Sequence, residues 1–90
     1  MPYIRPKDRG PLLTQDVAHV GQSANTAGEL NFVLTSICLG YLQRNGTNYA
    51  TMNEILGVLS AVGFEFYRRI VAPYEQEKIE QNGDVYPGEE

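Results

Sequence analysis

The chain has 90 residues, enough for one small domain, and its 42% hydrophobic content is ordinary for a globular protein. No apolar run approaches the roughly 20 residues that span a bilayer, so a soluble protein with no membrane partner is expected. The net charge of −4 is uneven: Glu75, Glu77, Glu80, Asp84, Glu89 and Glu90 follow Pro73 beside Lys78 alone, while the body before them is near neutral. That balance is a poor match to duplex nucleic acid, whose binding depends on neutralising many phosphates.

A small anionic ligand needs only two or three arginines and stays open. The lone Cys38 permits no disulfide within the chain, and the first residues lack the apolar core of a signal peptide, so a cytoplasmic location is expected. A domain of this size buries only about 60–65% of its unfolded surface, and self-association would add stability.

Residues 1–10 hold Pro2, Pro6 and Gly10 with Arg5, Lys7 and Arg9, and Pro6 biases Arg5 away from helix, which predicts an extended N-terminal arm. Pro11 suits a first helical turn, and Leu13, Val17, Val20 and Ala24 follow at helical spacing, giving a first helix over roughly 11–24. Thr26 and Glu29 have the spacing of a capping box. A second helix follows over 27–44, with Leu30, Val33, Leu34, Ile37, Cys38, Tyr41 and Leu42 on one broad face and Asn45-Gly46 at its stop.

Thr51 and Glu54 repeat the box before Met52, Ile55, Leu56, Leu59, Val62, Phe66 and Ile70, predicting a third helix over about 51–72. Gly57, Ser60, Ala61 and Gly63 give it a small-residue face that lets another backbone approach. Pro73 removes a donor and disfavours helix at Ala72, so the helix should end or kink there. A short final helix and a loose, flexible acidic end follow. The domain plan is an arm at 1–10, a helical domain at 11–82 and a tail at 83–90.

Chemistry concentrates in Glu65-Phe66-Tyr67-Arg68-Arg69-Ile70-Val71-Ala72-Pro73-Tyr74-Glu75. Arg68 and Arg69 diverge by about 100° on a helix. They can grip a phosphate or carboxylate while Tyr67 or Tyr74 stacks a base. They can equally be solvated cations near a helix C-terminus, with Glu65 four residues before Arg69 as a partner. In an extended arm Tyr3, Arg5, Lys7 and Arg9 alternate onto one side, as half of an anion site or as a solubilising end whose Tyr3 and Ile4 pack on the bundle.

His19 with Asp16 lacks a nucleophile partner, and Cys38 sits in an apolar stripe where packing is its expected role. With one His and one Cys a zinc site within one chain is not expected, because four nitrogen or sulfur ligands are usual, and a site bridging subunits ranks low. No phosphate loop, G-x-S-x-G or H-E-x-x-H occurs. Catalytic residues, a metal and a cofactor are not expected, and the chain reads as a non-enzyme.

Pro2-Tyr3-Ile4-Arg5, Gly28-Glu29-Leu30-Asn31-Phe32, Glu65-Phe66-Tyr67-Arg68-Arg69, Ala72-Pro73-Tyr74-Glu75 and Asn82-Gly83-Asp84-Val85-Tyr86 resemble a family of small uncharacterised proteins from phages, prophages and bacteria. That resemblance covers most of the chain and brings no activity with it. The arm from Tyr3 to Pro6 and the run from Phe66 to Pro73 also look like the phage anti-CBASS sponges that sequester cyclic oligonucleotides. That second resemblance implies a helical homo-oligomer with a ligand site at a subunit interface, tyrosines stacking and basic residues on phosphates. Helix lengths, Gly40, Asn45-Gly46 and the acidic tail depart from that pattern.

The reading is therefore an all-α, homo-oligomeric bundle of three main helices plus a short C-terminal one. Its expected function is to bind and sequester a small anionic nucleotide immune signal, a cyclic oligonucleotide or an ADP-ribose derivative, through Tyr3, Arg5, Arg9, Tyr67, Arg68, Arg69 and Tyr74. The alternative is a protein–protein interaction module that inhibits a host protein through its arm or acidic tail.

Overall fold

A computed structural model describes residues 4–9 and 17–88, and among them the protein is all-α with no strand. The helices are α1 (Pro6–Arg9), α2 (Val17–Gln22), α3 (Ala27–Asn45), α4 (Tyr49–Phe66) and α5 (Ala72–Asn82), with a π-helical turn, Tyr67–Val71, between the last two. The chain divides into two compact units, Met1–Asn53 and Glu54–Glu90.

In the first unit, the expected extended arm is partly helical: Pro6–Arg9 form a single turn. Pro6 suits a first helical position because its missing N–H needs no partner there. The Asp8 amide donates to the Arg5 carbonyl at 2.9 Å, and the Arg5 guanidinium meets Asp8 at 3.3 Å. Arg5, Lys7 and Arg9 consequently lose the shared side that an extended arm would give them. Tyr3 lies outside the described residues, as does 11–16 of the expected first helix, whose described part runs Val17–Gln22. The Ser23 hydroxyl donates back to the Val20 carbonyl at 2.6 Å and accompanies the end of the helix.

The α3 start follows its capping signal. Thr26 Oγ1 accepts from the Glu29 amide at 3.1 Å, and Glu29 Oε1 accepts from the amide of Asn25, one residue before the cap, at 2.8 Å. At the other end, Gly46 has φ 98° and ψ 147° while its amide donates to Leu42, a backbone region that is essentially glycine-only.

The start of α4 corrects the sequence reading. Asn48 is the cap, its Oδ1 accepting from the Thr51 amide at 2.9 Å, so the helix begins at Tyr49 rather than 51. An asparagine here satisfies an orphan N–H of the first turn as well as a threonine would. Thr51 instead lies inside that turn, 4% exposed, and its hydroxyl donates to the Asn45 carbonyl at 3.4 Å. The most enclosed described side chain is thus a polar one that ties the end of α3 to the start of α4.

In the second unit Pro73 neither ends the helix nor leaves it unchanged. Val71 and Ala72 keep right-handed helical angles, and the Ala72 amide donates to the Tyr67 carbonyl five residues back. A proline in a regular α-helix would press its ring against the Arg69 carbonyl and leave that carbonyl without its donor. Widening the preceding turn to π geometry relieves the crowding and lets helical backbone continue from Tyr49 to Asn82. The helix stops at Gly83, φ 87° and ψ 156°, whose amide donates to Ile79 at 2.8 Å. This is the device of Asn45-Gly46 used a second time.

Candidate functional site

The π-helical turn decides which side chains meet. On a straight α-helix, residues eight apart stand about 80° out of line. Here Tyr67 reaches Glu75, its hydroxyl donating to Oε1 at 2.8 Å. That hydrogen bond, then the carboxylate's negative charge, then a slight desolvation and the nearby Tyr86 hold the Tyr67 phenol above its usual pKa of 10.0. Each cause favours the neutral phenol over the phenolate.

After Gly83 the chain runs back beside α5. Asp84 Oδ1 accepts from the Tyr86 amide at 2.9 Å, an Asx-type turn. Tyr86 and Val85 face Tyr67, Tyr74 and Ile79 across an open groove of about 560 Å³. Glu75 and Asp84 add carboxylates to its lining and Lys78 an ammonium. The Lys78 ammonium stands 5.4 Å from the centre of the Tyr74 ring, within range for attraction to its negative face.

Of the expected site residues, Tyr67 and Tyr74 are brought together in this groove. Arg68 and Arg69 belong to another cluster: both guanidiniums donate to Oε1 of Glu65, Arg69 at 3.1 Å. Their 100° divergence is compatible with one partner, because residues three and four positions back lie between the two directions. Arg5 and Arg9 belong to the first unit, where the Arg9 guanidinium donates to the Ile4 carbonyl at 2.8 Å. Tyr3 lies outside the described residues.

Glu75, Lys78, Asp84 and Tyr86 were not among the expected site residues. A signal for Lys78 was present in its spacing four residues after Tyr74, which puts both on one helix face. Tyr86 carried no such signal, because it enters the groove only through the turn that follows Gly83.

The groove offers stacking surface, hydrogen-bond acceptors and two carboxylates against one ammonium, which suits it to binding. Among the described residues no group of three or more His, Cys, Asp or Glu side chains is arranged to hold a metal. No described helix is long and apolar enough to cross a membrane. No curated protein and no solved structure matches the chain. Over residues 1–85 it matches the family model described as a domain of unknown function, DUF6899, and the chain belongs to that family.

Proposed function

We propose that this chain is a non-enzymatic binding protein that works as a homo-oligomer, its helices burying their apolar faces against other copies. One observation carries the reading: no described hydrophobic side chain is buried, and Phe32 of α3 and Phe64 of α4 are 71% and 77% exposed. Over their lengths α3 carries only Glu29 and Arg44 as charged residues, and α4 only Glu54 and Glu65. A helix apolar on most of its circumference belongs in an interior. Identical copies present identical faces, so a symmetric assembly supplies that interior.

The test is far-UV circular dichroism with sedimentation equilibrium across a dilution series. Most helical stability in proteins comes from packing of the helix faces rather than from intrinsic propensity. Helix content and Tm should therefore fall together with oligomer mass as the protein is diluted. A monomer that keeps full helicity at every concentration would overturn the reading.

A second reading rests on Tyr67, Tyr74 and the Lys78 ammonium lining one groove, where Glu75 and Asp84 oppose an anion: the assembly sequesters a small anionic nucleotide signal, a cyclic oligonucleotide or an ADP-ribose derivative, and so blunts host antiviral immunity. Two phenol rings suit stacking on a base. Calorimetric titration with cyclic dinucleotides, cyclic trinucleotides and ADP-ribose derivatives tests it, with loss of binding in Tyr74→Ala expected. Absence of heat with all of these ligands would remove it.

A further inference from the structure

We propose that the groove of one copy receives the N-terminal segment of a second copy, residues 4–9, so that two chains exchange arms reciprocally. The inference rests on the homo-oligomeric reading and names one of its contact surfaces. The groove has apolar walls in Ile79, Val85 and the rings of Tyr67, Tyr74 and Tyr86, with Val85 92% exposed. Apolar surface at such exposure beside two carboxylates fits an occupant that is partly apolar and mostly cationic.

The chain contains one such segment. Residues 4–9 read Ile-Arg-Pro-Lys-Asp-Arg, three bases against one acid, all exposed. Residues 74–90 hold six acids and one base. The remaining bases are Arg44, Arg68 and Arg69; the last two share Glu65, whereas the arm sets three bases against Asp8 alone, which meets Arg5. Opposite charge on the two ends of every copy favours pairing of end with end between copies and steers their encounter.

The local chemistry agrees. The Lys78 ammonium stands 5.4 Å from the centre of the Tyr74 ring, so the groove wall already accommodates one cation, and Glu75 and Asp84 leave the lining with a net negative charge. Glu75 accepts from Tyr67 and Asp84 from the Tyr86 amide. A carboxylate offers about four acceptor positions, so both retain capacity for an incoming guanidinium or ammonium. Ile4, 48% exposed, supplies the apolar contact for Ile79 and Val85. Each copy has both the arm and the groove, so a reciprocal pair of copies would make the contact twice.

The experiment is sedimentation equilibrium on three full-length proteins, the natural chain, an arm variant (Arg5→Glu, Lys7→Glu, Arg9→Glu) and a groove variant (Glu75→Lys, Asp84→Lys), with helix content followed by circular dichroism. Association of each variant alone should weaken by roughly tenfold or more, and added salt should weaken that of the natural chain. An equimolar mixture of the two variants should regain association. In the mixed pair the acidic arm meets the basic groove while the natural arm meets the natural groove. Variants that associate as the natural chain does, or a mixture that regains nothing, would overturn the inference while leaving the homo-oligomer standing. A natural chain that is monomeric throughout would overturn the underlying reading itself.

Discussion

The hydroxyl of Tyr67 donates to Glu75 Oε1 at 2.8 Å across the π-helical turn, joining residues that a regular α-helix would hold on different faces. The phenol's raised pKa follows from that bond and the carboxylate's charge. Between the usual 10.0 and the raised value, the folded chain keeps a proton that the unfolded chain has lost. Stability contributed by the contact is therefore complete below pH 10 and declines as pH rises through the folded-state value. Spectrophotometric titration of the phenolate band should find a late-titrating tyrosine that disappears in Tyr67→Phe and moves back toward its ordinary value in Glu75→Gln.

If Pro73 causes the wide turn, Pro73→Ala should abolish it. The amide then present at position 73 can donate to the Arg69 carbonyl, and the Ala72 amide returns to Arg68. Amide exchange should find position 73 protected, and the Tyr67 titration should shift toward its ordinary value as Glu75 rotates out of reach. Persistence of the late-titrating phenol in this variant would show that proline is not the cause.

Glu65 holds two arginines, yet Arg68 and Arg69 are 68% and 62% exposed. Exposed ion pairs contribute about 0.2–1 kcal/mol. Glu65→Gln should therefore cost no more than about 1 kcal/mol in a denaturant melt, for two such weak contacts sharing one acceptor. If the arginines grip a nucleotide, releasing them from Glu65 should also tighten binding in the calorimetric titration. A loss above about 3 kcal/mol would mean that Glu65 has a structural role beyond these pairs.

Gly46 combines a positive φ with an added Cβ that would meet Asn48 Nδ2 at 3.2 Å. Gly46→Ala should destabilise the chain by about 1–3 kcal/mol through backbone strain, more than the same change at Gly40, where an added Cβ meets nothing within 4 Å. Asn48→Ala removes the cap of α4 and should cost about 1 kcal/mol. Chemical denaturation of the three variants at one protein concentration checks the ranking.

Much of the helical framework was legible because its signals are local. Thr26 and Glu29 announced the start of α3, and Asn45-Gly46 its end, through hydrogen bonds within a few residues of chain. The start of α4 was misplaced because Thr51 and Glu54 satisfy the capping pattern as well as Asn48 does. Both are compatible with the sequence, and the backbone turn after Gly46 determines which oxygen faces the Thr51 amide. The arm was read as extended from its prolines, although Pro6 suits the first position of a helix as readily as a strand-like segment.

The site was legible only in outline. Tyr67 and Tyr74 stood out in the sequence from their place among arginines near a proline, and both line one groove, whereas Glu75, Asp84 and Tyr86 acquire their positions from backbone geometry that residue types do not encode. By itself the sequence determined the all-α class, the Asn-Gly helix ends and the uneven charge, because each depends on neighbours in the chain or on composition alone. The pairing of Glu65 with the arginines is likewise local, three and four residues apart, but tertiary structure decided that the helix passes through Pro73 as a π turn and that Tyr86 returns beside Tyr67. Those outcomes depend on the accumulated rotation of the backbone, and a single widened turn redirects every side chain beyond it.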